Sequence, residues 1–477
     1  KQTPAPKVQK RHCIICKQTP IQMEIQKARE NKAMGNGLYN YNAILHGGMI
    51  GDNTPVSSRN SFIRFNGVFQ GEQSGFSIGD DILEKHMLFV GGTGTGKTNL
   101  FKHCVSQIKS QMTADDVMIV FDTKGDFYSR FYDNQRDAVI GNSKDYRAIS
   151  EKWNVFREIV IDGYEDEDVV INTQEICRAL FSDKVARTNN PFFPNAARDL
   201  LAAIIVTIIR LKNRGDFRKD LLKNDVLKNI IDEYTANDLL DLIVLYNDMK
   251  SKAEYIAGSN AQSQGVLSEM YSVINDLLVG VFNDDGNFSI RNFIRKKDGR
   301  TLFIEYDLAI GDLLSPMYSL LFDLALKETL SREATTTKGN VYLILDELKL
   351  LPNLRHLDDG INFGRSLGLK IIAGLQSVGQ LNTVYKSNEA VAQNIIAGFS
   401  STIAFRLNDA KTREHISCLH GKNVVVEQYQ GLDGLLKEIR RDGSIVEDWD
   451  LMTLNTGEAV VGLSNKAPFR FQFELFK

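Results

Sequence analysis

The sequence is poor in the residues that build metal centres and disulfide scaffolds, because its 477 residues include only five Cys and seven His. Cys13 and Cys16 form one CxxC spacing, but no second pair stands at zinc spacing. A structural zinc ion needs four ligands, so a metal here would require partners from elsewhere in the chain or from another subunit. The alternative, which we favour, is a pair of plain thiols in a reducing compartment.

Long apolar runs and an excess of one charge are also missing. The longest apolar run, Leu200–Ile209, is about half of the ~20 residues that span a membrane, so we expect a buried helix there. No secretory signal pattern is present, and the sequence begins at Lys1, so we expect any membrane anchor to lie upstream of these residues. The formal net charge of −3 argues against a wholly basic nucleic-acid-binding protein, but it allows DNA in a local basic channel.

The most informative stretch is a short apolar run, Met87–Val90, that leads into a glycine-rich turn and then a helical pattern. The turn fits G-x-x-x-x-G-K-[ST] in the strand–loop–helix setting of a phosphate-binding loop (P-loop). Its backbone N–H groups would surround a phosphate chain, Lys97 would reach the β- and γ-phosphates, and the Thr98 hydroxyl would bind Mg²⁺. The residues predicted to hold the nucleotide are Gly91, Gly92, Thr93, Gly94, Thr95, Gly96, Lys97, Thr98 and Asn99.

A second apolar strand, Val341–Leu345, ends in two adjacent acids. Asp346 would hold Mg²⁺ through water, and Glu347 would orient and deprotonate the attacking water. Two carboxylates at the end of a strand are costly to bury unless a cation is present. The pattern therefore predicts a site of nucleotide hydrolysis rather than of binding alone.

A further buried strand, Lys370–Gly374, is flanked by two more candidates. Gln376, just after the strand, could sense the γ-phosphate and the attacking water. Arg365, just before it, could provide positive charge for phosphoryl transfer, in the same chain or from a neighbouring subunit. A third turn, Asp122–Asp126, follows the strand Val117–Phe121 and is either a neighbour of the phosphates or an ordinary strand-to-helix turn.

The pattern of elements divides the chain into four parts. Residues 1–60 are predicted to form an arm with some local structure, and short antiparallel strands begin at Ser61. Residues 61–173 and 291–477 read as the two parts of one α/β domain with a parallel sheet. Residues 174–290 carry helical spacing with little strand signal, which predicts an all-α insertion within that domain.

In this order of motifs the sequence resembles the type IV secretion coupling proteins, the TraD/TraG/TrwB-like DNA pumps related to FtsK and HerA. The resemblance covers about residues 61–476, and its second-half motifs are much more specific than the P-loop alone. The matching stretches are KHMLFVGGTGTGKTN (85–99), FDTKGD (121–126), YLILDELKLLPNL (342–354), NFGRSLGLKIIAGLQSVGQL (362–381), FRLNDAKTREHIS (405–417) and LNTGEAVV (454–461).

The resemblance implies a RecA-like P-loop NTPase domain with an inserted all-α domain, assembled as a homo-hexameric ring. ATP with Mg²⁺ would be hydrolysed between subunits while DNA passes through the central channel. By position, Asp346 and Glu347 would complete the Walker B motif. Arg365 would be an arginine finger acting in trans, and Gln376 would be the γ-phosphate sensor.

The resemblance also implies partners and a location. The all-α domain would contact relaxosome or type IV secretion components, and the protein would work in the bacterial cytoplasm, at the inner membrane if an anchor exists upstream. Two other functions fit the same residues. One is a soluble HerA-like DNA motor that acts with a nuclease in repair or phage defence, and the other is an ATPase that licenses protein substrates for secretion.

Overall fold

The computed structural model describes residues 41–477, except for residues 59, 217, 219–220, 259, 334–337, 386–388 and 431–434. Most of the predicted arm 1–60, including Cys13 and Cys16, therefore lies outside the described residues. The described end of the arm forms a strand, β1 (Tyr41–His46), in a small sheet with β11 (Lys422–Gln430) and β12 (Leu436–Ser444). The sequence analysis did not predict β1 as a strand. Its pairing partner, β11, lies near the other end of the chain, so the pairing has no local signal.

The main sheet has eleven strands within the described residues, and its parallel part carries the predicted motifs. From one side to the other the parallel strands are β10 (Ser401–Phe405), β4 (Met87–Val90), β9 (Leu369–Leu375), β8 (Val341–Leu345), β5 (Val117–Asp122), β7 (Thr301–Glu305) and β6 (Ala138–Ile140). The predicted parallel-sheet core is confirmed. Because parallel strands end at the same edge, the loops after β4, β5, β8 and β9 converge there.

Antiparallel strands extend the sheet beyond β10. They are β13 (Glu458–Gly462), β14 (Phe469–Phe473), β2 (Ile63–Phe69) and β3 (Glu72–Ile78), in that order. The predicted antiparallel strands after Ser61 are therefore confirmed as the β2–β3 hairpin at the sheet edge.

Alternation along the strands builds a core on each face of the sheet. In β4, Leu88 and Val90 belong to one apolar cluster, whereas Met87 and Phe89 belong to the other. The face that carries Met87 and Phe89 is covered by α2 (Lys97–Gln111), the helix that follows the P-loop. The face that carries Leu88 and Val90 is covered by α13 (Gly311–Leu330) and by the helices between Val155 and Lys296. The sheet is therefore buried between two helical layers.

The helical part of the chain leaves and rejoins the sheet domain at one place, where Trp153 and Phe288 form an isolated bridge. Its helices start earlier than the predicted residue 174, and the division into domains remains a prediction. The helices here are α4 (Val155–Ile159), α5 (Asp166–Leu180), α6 (Ser182–Arg187), α7 (Phe192–Arg214), α8 (Asn224–Glu233), α9 (Ala236–Ile243), α10 (Lys250–Ala253), α11 (Ala261–Leu277) and α12 (Ile290–Lys296).

The apolar run Leu200–Ile209 lies inside α7 and is buried, as predicted. Among the described residues, α7 is the one helix whose length and composition would allow it to cross a membrane, and 67% of its most apolar window is buried within the fold. The remaining helices are α1 (Asp80–Leu83), α3 (Tyr128–Phe131), α14 (Leu357–Phe363), α15 (Gly379–Val384), α16 (Glu389–Gly398), α17 (Ala410–His420) and α18 (Asp448–Met452).

Candidate functional site

The turn after β4 has the backbone conformation of a phosphate-binding loop. Gly94 and Gly96 have φ angles of +72° and +120°, in the region that favours glycine. A Cβ atom at Gly96 would lie 3.0 Å from the Cα atom of Gly457, so a side chain there would also be crowded by backbone. The helix α2 begins at Lys97, which points the positive end of its dipole toward the loop.

The Lys97 side chain is buried beneath the loop and donates hydrogen bonds to the carbonyl oxygens of Gly91 and Gly92, the latter at 3.2 Å. Burial lowers the pKa of the ammonium, while the negative charges of Glu347 and Asp346 oppose that shift. Thr95 also braces the loop, since its hydroxyl donates to the Gly92 carbonyl at 2.8 Å. The ammonium is thus held at the floor of the loop, from which it can reach a bound anion.

The acids after β8 face this loop. Burial raises the pKa of Asp346 to about 6; Lys97 opposes the shift and Glu347 adds to it. Gln376, which follows β9, donates from Nε2 to Oε2 of Glu347 at 2.8 Å. The other Glu347 oxygen, Oε1, is buried with no hydrogen-bond partner among the described residues.

These groups fit a magnesium–nucleotide ligand. A buried carboxylate oxygen without a donor, beside a second, half-buried acid, is costly unless a cation or a water molecule satisfies it. The cleft has a volume of about 450 Å³. Its lining residues are Gly92, Thr93, Gly94, Gly96, Lys97, Thr98, Asn99, Thr123, Lys124, Asp346, Glu347, Gln376 and Thr456.

Most of the predicted site residues therefore meet in one cleft. Gly91 and Thr95 lie just beneath it as partners within the loop. Thr456 was not predicted; the adjacent Gly457 N–H donates to the Thr95 carbonyl at 2.8 Å, which fastens this late segment to the P-loop. The LNTGEAVV match at residues 454–461 was the available signal, but it did not indicate which residue faces the cleft.

In the turn after β5, some residues line the cleft and another holds the shape of the turn. Thr123 and Lys124 line the cleft, in agreement with a position near the phosphates. Asp122 instead accepts backbone N–H groups from Phe127 at 3.0 Å and Tyr128 at 2.8 Å, so it shapes the turn. Burial raises the Asp122 pKa and these hydrogen bonds oppose the shift.

Asn99 reaches the cleft, but its side-chain amide binds the last residues of the chain. Nδ2 donates to the Glu474 carbonyl at 3.0 Å, and Oδ1 accepts from the Phe476 N–H at 2.8 Å. His103, one turn along α2, also lies within hydrogen-bond distance of the Glu474 carbonyl, at 3.0 Å. The observed role of the Asn99 amide is to attach the C-terminal segment to the helix of the P-loop.

We expect Asn99→Ala to lower the free energy of unfolding by about 1 kcal/mol, because it removes two partly exposed hydrogen bonds. The dissociation constant for Mg²⁺–ATP should change little, since both polar atoms of the amide already face the C-terminal segment. Urea unfolding and equilibrium nucleotide titration measure the two quantities. Thr98→Ala is the matched control, because it should weaken nucleotide binding; equal losses of affinity in both variants would contradict this assignment.

Arg365 does not line the cleft. It lies in a 3₁₀ turn, Gly364–Leu367, at the amino end of β9, whereas the cleft is at the carboxyl end. At about 3.3 Å per residue the seven residues of β9 separate the two ends by about 20 Å. The side chain is 57% exposed and pairs with Glu84, so it does not contact the nucleotide cleft of its own chain.

Comparison with known proteins gives a family that agrees with this geometry. Residues 72–459 match the family described as the type IV secretion-system coupling protein DNA-binding domain. Coupling protein TraD of Escherichia coli (strain K12) is 22% identical over 359 residues, which cover 72% of this chain and 45% of TraD. The chain thus spans less than half the length of this curated relative.

Solved structures agree over nearly the whole chain. The bacterial conjugative coupling protein TrwBdeltaN70 has a TM-score of 0.68 and 25% identity, covering 93% of this chain and 96% of that one. Plasmid coupling protein TrwB in complex with ADP and Mg²⁺ has a TM-score of 0.66 and 25% identity, with the same coverage of 93% and 96%. These matches confirm the α/β P-loop fold with its helical part. The chain belongs to the type IV secretion-system coupling protein family.

Proposed function

We propose that this chain is an ATP-driven motor that moves DNA through a homo-hexameric ring for conjugative transfer. The observation that carries the proposal is the convergence of the P-loop, the two acids and Gln376 on one cleft. The Gln376–Glu347 hydrogen bond of 2.8 Å joins the loops after β9 and β8 beside Lys97. A binding site alone would not require an acid and an amide paired in this position.

In the proposed reaction each group has a defined task. Lys97 and the loop N–H groups hold the β- and γ-phosphates, and Thr98 and Asp346 would hold the metal. Mg²⁺, when bound with ATP, neutralises phosphate charge. Glu347 accepts the proton of the attacking water through its unpartnered Oε1, and Gln376 fixes the other carboxylate oxygen and so orients the base.

The ring is supported by the position of Arg365. Because it lies at the far end of β9 from its own cleft, it can reach a nucleotide only in another subunit. Phe363, two residues before it, is a large apolar side chain that is 65% exposed, which suits a surface covered by a neighbouring copy. Completion of each site by the next subunit would couple hydrolysis to assembly.

The family and the relatives described above indicate the biological role that we propose. TraD is named as a coupling protein, and TrwB as a conjugative one whose solved structures include a complex with ADP and Mg²⁺. For this chain we propose DNA as the moved substrate. We also propose relaxosome or secretion components as partners of the helical part, and a position in the bacterial cytoplasm, at the inner membrane if an anchor precedes these residues.

The test is the ATPase rate per subunit against protein concentration, with and without double-stranded or single-stranded DNA at low salt. We expect a steep rise with concentration, because sites are completed between subunits, and stimulation by DNA that weakens as salt rises. Lys97→Ala is the control for contaminating ATPases. A rate that is independent of both concentration and DNA would contradict a ring motor and would favour a protein-licensing ATPase.

A further inference from the structure

Arg365 has a defined partner within its own chain. Its Nη2 atom lies 2.5 Å from Oε1 of Glu84. Glu84 is the C-cap of α1, and the chain then runs through Lys85 and His86 directly into β4, the strand that carries the P-loop. The pair therefore connects the arginine proposed to serve a neighbouring subunit with the strand that supports this chain's own nucleotide site.

The segment that carries Glu84 is fixed to the start of β9 at two further points. Lys370 Nζ pairs with Asp80 Oδ1 at 2.6 Å, and the Lys370 side chain is only 5% exposed. The Ile371 N–H donates to Nδ1 of the buried His86 at 3.1 Å. Contacts on both sides of Glu84 thus hold its backbone, which makes it a fixed anchor for the long Arg365 side chain.

The Glu84–Arg365 pair itself contributes little to stability. Both side chains are accessible, at 29% for Glu84 and 57% for Arg365, and ion pairs in such positions are weak because water and salt screen them. The pair does restrict the rotamers of a side chain that would otherwise lose that freedom on binding a phosphate. The contact uses one terminal nitrogen, so the planar guanidinium still has donors to offer to another anion.

We propose that Glu84 is a positioning residue for Arg365, holding the guanidinium in the orientation in which it enters the cleft of the adjoining subunit. The inference rests on the proposed trans role of Arg365. Through this contact Arg365 is attached to the segment before β4. A shift of β4 in one subunit would therefore move the arginine that serves the cleft of the adjoining subunit. Glu84 would raise the rate because the Arg365 guanidinium is already oriented before the reaction begins.

Glu84→Gln tests the proposal, because it keeps the size of the side chain and removes its charge. We expect kcat to fall about tenfold, within the usual range for coupled residues in contact, while the KM for ATP and the thermal midpoint stay near those of the parent protein. Glu84→Asp, which keeps the charge, should recover part of the rate. Asp448→Asn, which breaks the exposed Asp448–Arg413 pair of 2.6 Å, is the matched control and should leave kcat unchanged.

A double-mutant cycle separates positioning from an independent effect. If Glu84 acts through Arg365, the variant carrying both Glu84→Gln and Arg365→Ala should be no slower than Arg365→Ala alone. A further tenfold loss in the double variant, or a rate increase in Glu84→Gln, would overturn the proposal. If Arg365→Ala itself kept normal turnover, the failure would instead lie in the proposed trans finger.

Mixed rings show which subunit needs Glu84. Lys97→Ala subunits cannot hold nucleotide but keep Arg365, so they should supply the finger to sites of Arg365→Ala subunits. Glu84→Gln placed in the Lys97→Ala subunit should lower the restored rate about tenfold, whereas the same change in the Arg365→Ala subunit should have no effect. The opposite pattern would place the role of Glu84 in its own cleft and would contradict the proposal.

Discussion

Glu347→Gln should bind Mg²⁺–ATP with nearly the affinity of the parent chain and hydrolyse it about 10²- to 10⁴-fold more slowly, the usual contribution of a general base. The amide keeps the shape of the side chain but cannot accept the proton of the attacking water. Single-turnover hydrolysis measures the loss, and equilibrium titration with Mg²⁺–ATP measures the affinity. Trapping of unhydrolysed ATP on the variant would be the direct sign of a bound but unreactive complex.

The neighbouring residues provide the controls for this prediction. Gln376→Ala removes the donor to Glu347 Oε2, so it should lower kcat less than Glu347→Gln while leaving nucleotide affinity intact. Lys97→Ala should lose affinity itself, because it removes the cation beneath the phosphate loop. Near-normal turnover in Glu347→Gln would show that another group is the base, and the acid pair after β8 would then serve the metal alone.

Local patterns were sufficient to predict the parallel strands that carry the motifs and most of the residues that line the cleft. The runs before Gly91, Asp122 and Asp346 are apolar at every position, and the run before Gln376 is interrupted only by Lys370 among its large side chains, which is typical of strands buried on both faces in a parallel sheet. Since such strands share one carboxyl edge, the sequence alone could predict that the residues after them meet. The structure shows that they do, in a single cleft.

Contacts between distant parts of the chain could not be predicted in this way. Thr456 reaches the cleft because the Gly457 N–H bonds to the P-loop. The pattern grouped Asn99 with the phosphate-binding residues, whereas its amide bonds to Glu474 and Phe476. Glu84 has no motif that would indicate its pairing with Arg365. In each case the two partners have ordinary local sequences, and only the packing of the folded chain brings them together.

Arg365→Ala should lower the rate of ATP hydrolysis by about 10³-fold or more, the range for arginine fingers in phosphoryl transfer, with little change in nucleotide affinity. The reason is geometric: the guanidinium lies at the opposite end of β9 from its own cleft and so affects only the transition state in an adjoining subunit. Steady-state ATPase assays at saturating ATP measure the rate, and titration with a non-hydrolysable ATP analogue measures the affinity.

Complementation decides whether the arginine acts in trans. Arg365→Ala and Lys97→Ala are each expected to be inactive for different reasons, since the first has an intact cleft and the second has an intact finger. Mixed rings, verified by co-purification of two differently tagged subunits, should regain activity where an intact finger meets an intact cleft. Verified mixed rings without any regain would contradict the trans assignment. Arg365→Lys should restore little, because a lysine ammonium is a point charge without the planar donor set that engages several phosphate oxygens at once.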